Sequence, residues 1–399
     1  MKNDQRLLYR RLGLIAAAAL LLGLSTPLLL HSLNPPTDPA TELASFEKPP
    51  IPDEKNAARW LQAGAGAIVW SKEEQTVIGN ASLLPYREWS PESTSTVRTF
   101  LDTHREALKI MAKARNLKDS SYGLEYSRNF KWQWSSALQF IRAARLLADQ
   151  ARMGFGTCDL TSAYGALATL GKMASTLEDE SGMIAVLFGI AIDRIWLSVA
   201  TEALSVDVGC PPELDRIEAL MPEADLDEML RRTFNLQSAN FRLILAGENS
   251  AERKNQPSDE EIVDLLGNWI TLIGTPIGPG RKQVEELVGR TNDTLKINGM
   301  GLHWTSLIGR TQSVQALRQE VCALIALRRL GAARGSFPAD RPDIPELQRA
   351  DPLTGKPLLY TRNADGSLTL KIDADEEFLK YSGGPSAGAT MGPITLPAP

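Results

Sequence analysis

Apolar residues recur at intervals of three and four over most of the 399-residue chain and switch to alternation only near its C-terminus. The longer period belongs to helices that bury one face, so the chain reads as mainly α. Helical spacing runs through Ala57, Trp60, Leu61 and Ala65 in the stretch Asp53–Val69. A second helix starts at Ser90-Pro91-Glu92, an N-cap serine followed by proline and an acid, and carries Val97, Leu101, His104, Leu108 and Met111 on to Asn116. Trp132–Gly154, Leu160–Leu177 and Ser181–Val206 follow as three further helices. The acidic stretch from Pro211 to Asn249 is helical again, and Ser258 with Glu261 makes a capping box before the next helix. Arg281–Ile297 and Thr311–Ala333 complete an array or bundle of about eight or nine helices. After Gly335 the period becomes two. Leu358–Arg362 and Ser367–Ile372 alternate, and Asn363-Ala364-Asp365-Gly366 joins them as a hairpin turn, giving a small α+β module that ends in a disordered tail.

Two stretches are apolar without being amphipathic. Leu12–Leu30 has nineteen residues and no charge, and as a helix it would span about 28 Å, enough to cross a hydrocarbon core. Lys2, Arg6, Arg10 and Arg11 precede it against the single acid Asp4, which keeps the N-terminus cytoplasmic and places the chain after His31 outside. A retained transmembrane anchor is the first reading, and a signal peptide with its apolar region at Leu12–Leu24 the alternative. Gly23/Ser25 and Thr37/Ala40 are the small residues available to a peptidase. The second stretch, Met183–Ile192, runs into Asp193, Arg194 and Glu202, which marks a central core helix rather than a second span. Asn34–Pro52 holds six prolines and reads as a semi-rigid spacer. The chain thus divides into a basic tip and anchor at 1–33, a linker at 34–52, a helical domain at 53–310, and a long helix with the hairpin module and tail at 311–399.

Removing residues 1–34 leaves 39 Lys and Arg against 47 Asp and Glu, a net charge of −8. That surface repels phosphate backbones, so nucleic acid is not an expected partner. No cofactor is indicated. The Ala63–Ala67 run AGAGA follows no strand and completes no GxGxxG, and the Gly274–Lys282 run GTPIGPGRK loses two amide donors to Pro276 and Pro279. Three histidines, His31, His104 and His303, are too scattered for a histidine metal site, and no CxxC, HExxH or GxSxG occurs. Ser45 and Lys48 match S-x-x-K without any partner motif.

Individual residues remain as candidates. His104 lies on an apolar stripe, where packing or capping is the ordinary role and acid–base chemistry the minority one. Asp193 reads either as one half of an ion pair near the helix surface, with Arg194 or a neighbour, or as a functional carboxylate at the edge of the core. Glu202 is a third. Cys158 stands before one expected helix and Cys210 after another. An antiparallel hairpin would bring both thiols to one end, and outside the cytoplasm they would oxidise, with about 4 kcal/mol of stabilisation. Cys322 sits on the apolar side of its helix and reads as a buried free thiol.

Two resemblances can be put on particular residues. The segments LQFIRAARLLADQARMGFG and DLTSAYGALATLGKMASTL, with Ala143, Ala163, Gly165 and Ala166 at close-approach positions, resemble one helix pair of tetratricopeptide type. The order long helix, G-x-F-P, D-P-x-T-G-K-P-L-x-Y, hairpin and Y-S-x-G over residues 311–384 resembles the soluble half of the major pseudopilin of type II secretion. The chain as a whole resembles bacterial exported proteins, of no assigned activity, that join a helical region to this module. Pseudopilins hold calcium in the loop after the hairpin. The matching region here offers Asp373, Asp375 and Glu376 but continues as YSGGPSAG, and it lacks the processed pilin helix with its glutamate.

These readings point to a single-pass inner-membrane protein with its bulk in the periplasm, or to a secreted one if the segment is cleaved. The bilayer is the expected partner of residues 12–30, and other envelope proteins are expected partners of the exported part. The first functional expectation is a non-catalytic envelope protein that binds or assembles other proteins in a secretion-related role. The alternative is an exported hydrolase or small-molecule binder with its site in the helical domain. Convergent carboxylates or histidines in a concave pocket would favour the alternative, and a flat apolar patch the first.

Overall fold

The structure, a computed structural model, describes residues 38–81, 84–126, 137–205, 212–222, 224–247, 256–295, 300–373 and 393–398. The expected membrane-crossing run at 12–30 lies outside them. Helix Met183–Ser205 is the axis on which the other elements are assembled. It is the one described helix long and apolar enough to cross a membrane, but it is enclosed by protein. Ala185, Val186, Gly189, Ile190, Ile192, Trp196, Leu197, Val199 and Ala200 are all buried, which makes it the core helix that its internal charges predict.

Helices Ala137–Thr157 and Leu160–Glu178 pack on one side of this axis and on each other. Small residues set the spacing. A Cβ on Gly154 would lie 2.8 Å from the Ala163 nitrogen, and one on Gly189 would lie 2.7 Å from Glu178 Cγ. Trp196 fills the space between, its indole N–H donating to the Leu167 carbonyl at 3.1 Å. Each of the three helices touches both others.

On the opposite side runs helix Met300–Arg334, whose 35 residues extend about 52 Å. It begins well before the expected Thr311. Helices Leu226–Gly247, Asp259–Thr271 and Ile277–Leu295 complete a second layer around Phe234, Trp269 and Trp304. The two tryptophan rings meet edge-on with centroids 5.7 Å apart, and Trp269 donates to Thr291 Oγ1 at 2.9 Å. The Ser258/Glu261 capping box forms as its sequence predicts. In all, 14 α-helices and a three-stranded sheet occur among the described residues.

Two local expectations change. The 34–52 spacer contains a helix, Pro39–Ser45, because Asp38 accepts from the Thr41 amide at 3.1 Å, Pro39 occupies the first turn, and Glu42 follows near the N-terminus. Leu43 buries its whole side chain beside Leu236 and Ala239, and Glu42 pairs with Arg242. The single helix expected over 90–116 is broken at His104, whose φ of −101° and ψ of 18° separate Pro91–Thr103 from Arg105–Ala112.

In the C-terminal module Asp351 builds the tight turn, its Oδ1 accepting from the amides of Leu353 and Thr354, each at 2.9 Å. Gly355 closes it at a φ of +72°, a conformation that suits glycine. Strands β1 (Leu359–Arg362) and β2 (Leu368–Lys371) pair antiparallel as the Asp-Gly turn predicts. A third strand, β3 (Ile394–Leu396), pairs with β2 and packs on the axial helix. This much of the expected disordered tail is therefore ordered. Short apolar side chains at Ile394 and Leu396 bury against the core. Gln319 fastens the module to the long helix by donating to the Arg349 carbonyl at 2.8 Å.

Candidate functional site

Asp193 lies at the middle of the axial helix with no exposed surface. Its partner is Arg318 of the long helix, 125 positions away, and not Arg194: the Arg318 Nε and Nη2 donate to Asp193 Oδ2 at 2.9 and 2.5 Å. The surface ion pair expected at this position is thus a core one, because the long helix packs over the face that carries Asp193. Arg318 also reaches Glu178 Oε2 at 3.3 Å and the Ala224 carbonyl at 2.8 Å. Two buried acids share one cation, which leaves one negative charge uncompensated. Burial, followed by the neighbouring Asp193 charge, raises the Glu178 pKa, so the cluster retains a proton. Glu178 Oε1 and Asp193 Oδ1 have no other hydrogen-bond partner. The Glu178 side chain is turned against Gly189, and the cluster serves as a polar clamp between core helices.

The other predicted residues are placed separately. The His104 ring packs on Phe100 with centroids 4.4 Å apart, and its backbone marks the helix break. Glu202 accepts from Arg152 Nε at 2.8 Å and from the Tyr86 amide at 2.8 Å, a second buried clamp. Lys48 reaches Asp179 at 2.6 Å and Glu180 at 3.2 Å, which gives the S-x-x-K lysine a structural role. Asp373 pairs with Lys356 at 2.8 Å on the surface, while Asp375 and Glu376 lie outside the described residues. Among the described residues no group of three or more His, Cys, Asp or Glu is placed to hold a metal. Nor does any disulfide link two described cysteines. Cys322 is a free thiol. Cys210 lies outside the described residues, so its pairing with Cys158 stands as a proposal.

What the surface offers instead is a pair of open, polar grooves on the helical domain. The first encloses about 500 Å³ between the 91–112 segment and helices Ala137–Thr157 and Leu160–Glu178, with Arg98, Arg105 and Lys109 facing Gln150 and Ser162. The second, of about 760 Å³, lies between residues 115–120, helix Leu160–Glu178 and the start of helix Leu226–Gly247. Lys118, Lys172 and Arg232 line it together with Asp179, Asp225 and Glu228. Arg115 belongs to both.

Most of these charges are satisfied locally. Arg105 pairs with Asp102 at 2.6 Å, Lys109 with Glu106 at 2.6 Å, and Arg232 with Asp179 at 3.7 Å. Arg98 and Arg115 have no acidic partner among the described residues. Arg115 donates from Nε to Thr169 Oγ1 at 2.7 Å, and burial of its guanidinium lowers its pKa. Burial likewise lowers that of Lys172. The guanidinium lies close over Gly165, where a Cβ would come within 3.2 Å of both terminal nitrogens. Sequence reasoning passes over Arg115 because an arginine at a helix end is an ordinary C-terminal residue. Only the placement of helix Leu160–Glu178 beside it gives it a second meaning.

No family model matches the chain, and no curated protein or solved structure matches it either.

Proposed function

We propose that the chain is a non-catalytic binding protein of the cell envelope, held at the membrane by residues 12–30, whose helical domain receives other proteins along its polar grooves. The observation that carries this reading is Arg115, a cation without an acidic partner at the junction of two grooves. A guanidinium held by one hydrogen bond and open to two grooves offers donors to an anionic group on a partner. Two of the carboxylates that the sequence offers for catalysis are bound up in clamps: Asp193 with Arg318, and Glu202 with Arg152. The resemblance of residues 311–384 to the major pseudopilin supports a setting in secretion or surface assembly.

A second reading has its own observation. A groove of about 760 Å³ with mixed charge falls within the range of small-molecule sites, about 300–1,000 Å³. In-cell crosslinking of the full-length protein in its native envelope, followed by mass spectrometry, separates the two. Reproducible protein partners linked to residues 98–120 or 150–176 support the binding role. Self-links alone would remove it and direct attention to small ligands.

A further inference from the structure

Resting on the reading that residues 12–30 are a retained membrane anchor, we infer that helix Pro39–Ser45 is a strap that docks the helical domain close to the bilayer, with the Gly247 end of helix Leu226–Gly247 toward the lipid surface. Two buried charges of the domain find their opposite charge in this segment. Arg242 is 4 % exposed, and its ion-pair partner is Glu42. Glu180 is 2 % exposed, and Lys48 reaches it at 3.2 Å while holding Asp179 at 2.6 Å and donating to the Ser120 carbonyl at 3.2 Å. Leu43 lies between these anchors in sequence and is wholly buried beside Leu236 and Ala239. Undocking the segment would strand Arg242 and Glu180 in the protein without a counter-charge, a penalty that holds the strap in place.

The direction of the strap follows from its partners. Glu42 meets position 242 of helix Leu226–Gly247, whereas Lys48 meets Asp179, which lies 3.7 Å from Arg232, ten positions earlier on that helix. The strap therefore runs against the helix, and Asp38 is directed toward the end formed by Gly247. Seven residues, His31–Thr37, separate the expected span from Asp38. Their reach is at most about 25 Å. A spacer free through Pro52 would have 22 residues and, as a proline-rich extended chain, a reach of about 70 Å. Docking the strap thus brings the domain from a distant tethered body to one held beside the membrane in a single orientation. Ile244 is exposed near the Gly247 end and gives a position at which to read the distance.

The test is energy transfer in nanodiscs of phosphatidylcholine and phosphatidylglycerol that carry a rhodamine-labelled lipid, with a fluorescent amino acid placed at Ile244 of the full-length protein. Strong transfer is expected. Four EAAAK repeats inserted between Thr37 and Asp38 leave the strap contacts in place and add about 30 Å of semi-rigid helix. The insertion should lower transfer at least twofold with an unchanged thermal melt. The release variant Glu42→Lys/Leu43→Asp should lower it as well, because the chain up to Pro52 then becomes tether. Wild-type transfer as low as that of the inserted protein overturns the inference, and so does a folded release variant that matches wild type. Should the release variant fail to fold, the insertion decides alone. Retention by the nanodiscs separates the two levels. Protein that is retained but transfers weakly from position 244 overturns only the docked orientation, whereas protein that the nanodiscs do not retain overturns the anchor reading and the orientation with it.

Discussion

Replacing Glu320 by glutamine keeps the shape of a buried side chain and removes its titration. Glu320 lies on the long helix beside Gln319, which fastens the C-terminal module, and is 1 % exposed. Neither of its carboxyl oxygens has a hydrogen-bond partner. Burial, and secondarily the charge of Asp351, pushes its pKa up from 4.5 to about 8. The folded protein therefore holds a proton that the unfolded chain releases between pH 4.5 and 8. The resulting stability is fully present below pH 4.5, declines as pH rises, and is lost once pH passes about 8. At about 1.4 kcal/mol for each pKa unit the loss is on the order of 5 kcal/mol. Glu178 shifts in the same direction, but it is present in both proteins, so their difference isolates Glu320. Guanidinium unfolding of wild type and Glu320→Gln at pH 5, 7 and 9 measures that difference. The two should agree within about 1 kcal/mol at pH 5, with the variant ahead by several kcal/mol at pH 9. A difference that stays constant from pH 5 to pH 9 would refute the reasoning.

Other substitutions test other parts of the structure. Arg318→Met leaves Glu178 and Asp193 buried without their cation and should cost about 3–5 kcal/mol in the same unfolding assay at neutral pH; a neutral outcome would mean that the clamp is not formed. Leu43→Ala should cost about 2–5 kcal/mol of local stability and raise hydrogen exchange across 38–48 while leaving the axial helix protected. Non-reducing peptide mapping of the full-length protein should return Cys158 joined to Cys210 with Cys322 unmodified, and recovery of Cys158 as a free thiol would end that pairing.

Where local chemistry decides structure, the sequence was readable. Ser258 with Glu261, Ser90 with Pro91, and Asp365-Gly366 each act within four residues, and each forms the cap or turn it predicts. The Pro39–Ser45 helix carried the same kind of signal in Asp38-Pro39 and Glu42, but six prolines in 34–52 pointed to an extended chain. The break at His104 left no trace in periodicity, because Val97, Leu108 and Met111 stay buried on either side of it. One residue with altered φ and ψ redirects a helix without moving its apolar stripe out of phase.

The charged clusters were illegible for a different reason. Asp193 stood out as a charge in an apolar helix, yet nothing nearby named Arg318 or Glu178 as its companions. An arginine and a glutamate among Val314, Leu317, Val321 and Leu324 were the available warning that the long helix buries charge. A buried cation needs a buried acid, so Arg318 and Asp193 imply each other once both helices are known to be enclosed. The same logic gives Arg115 its weight. It sits where packing has already removed part of its water, Thr169 satisfies one nitrogen, and no acid of this chain completes the rest among the described residues. Asp193 shows how this fold treats a charge that it means to neutralise itself: it seals the partner inside. Arg115 is treated the other way: it is left at the edge of two open grooves, where Thr169 holds one nitrogen and water screens the rest of its charge.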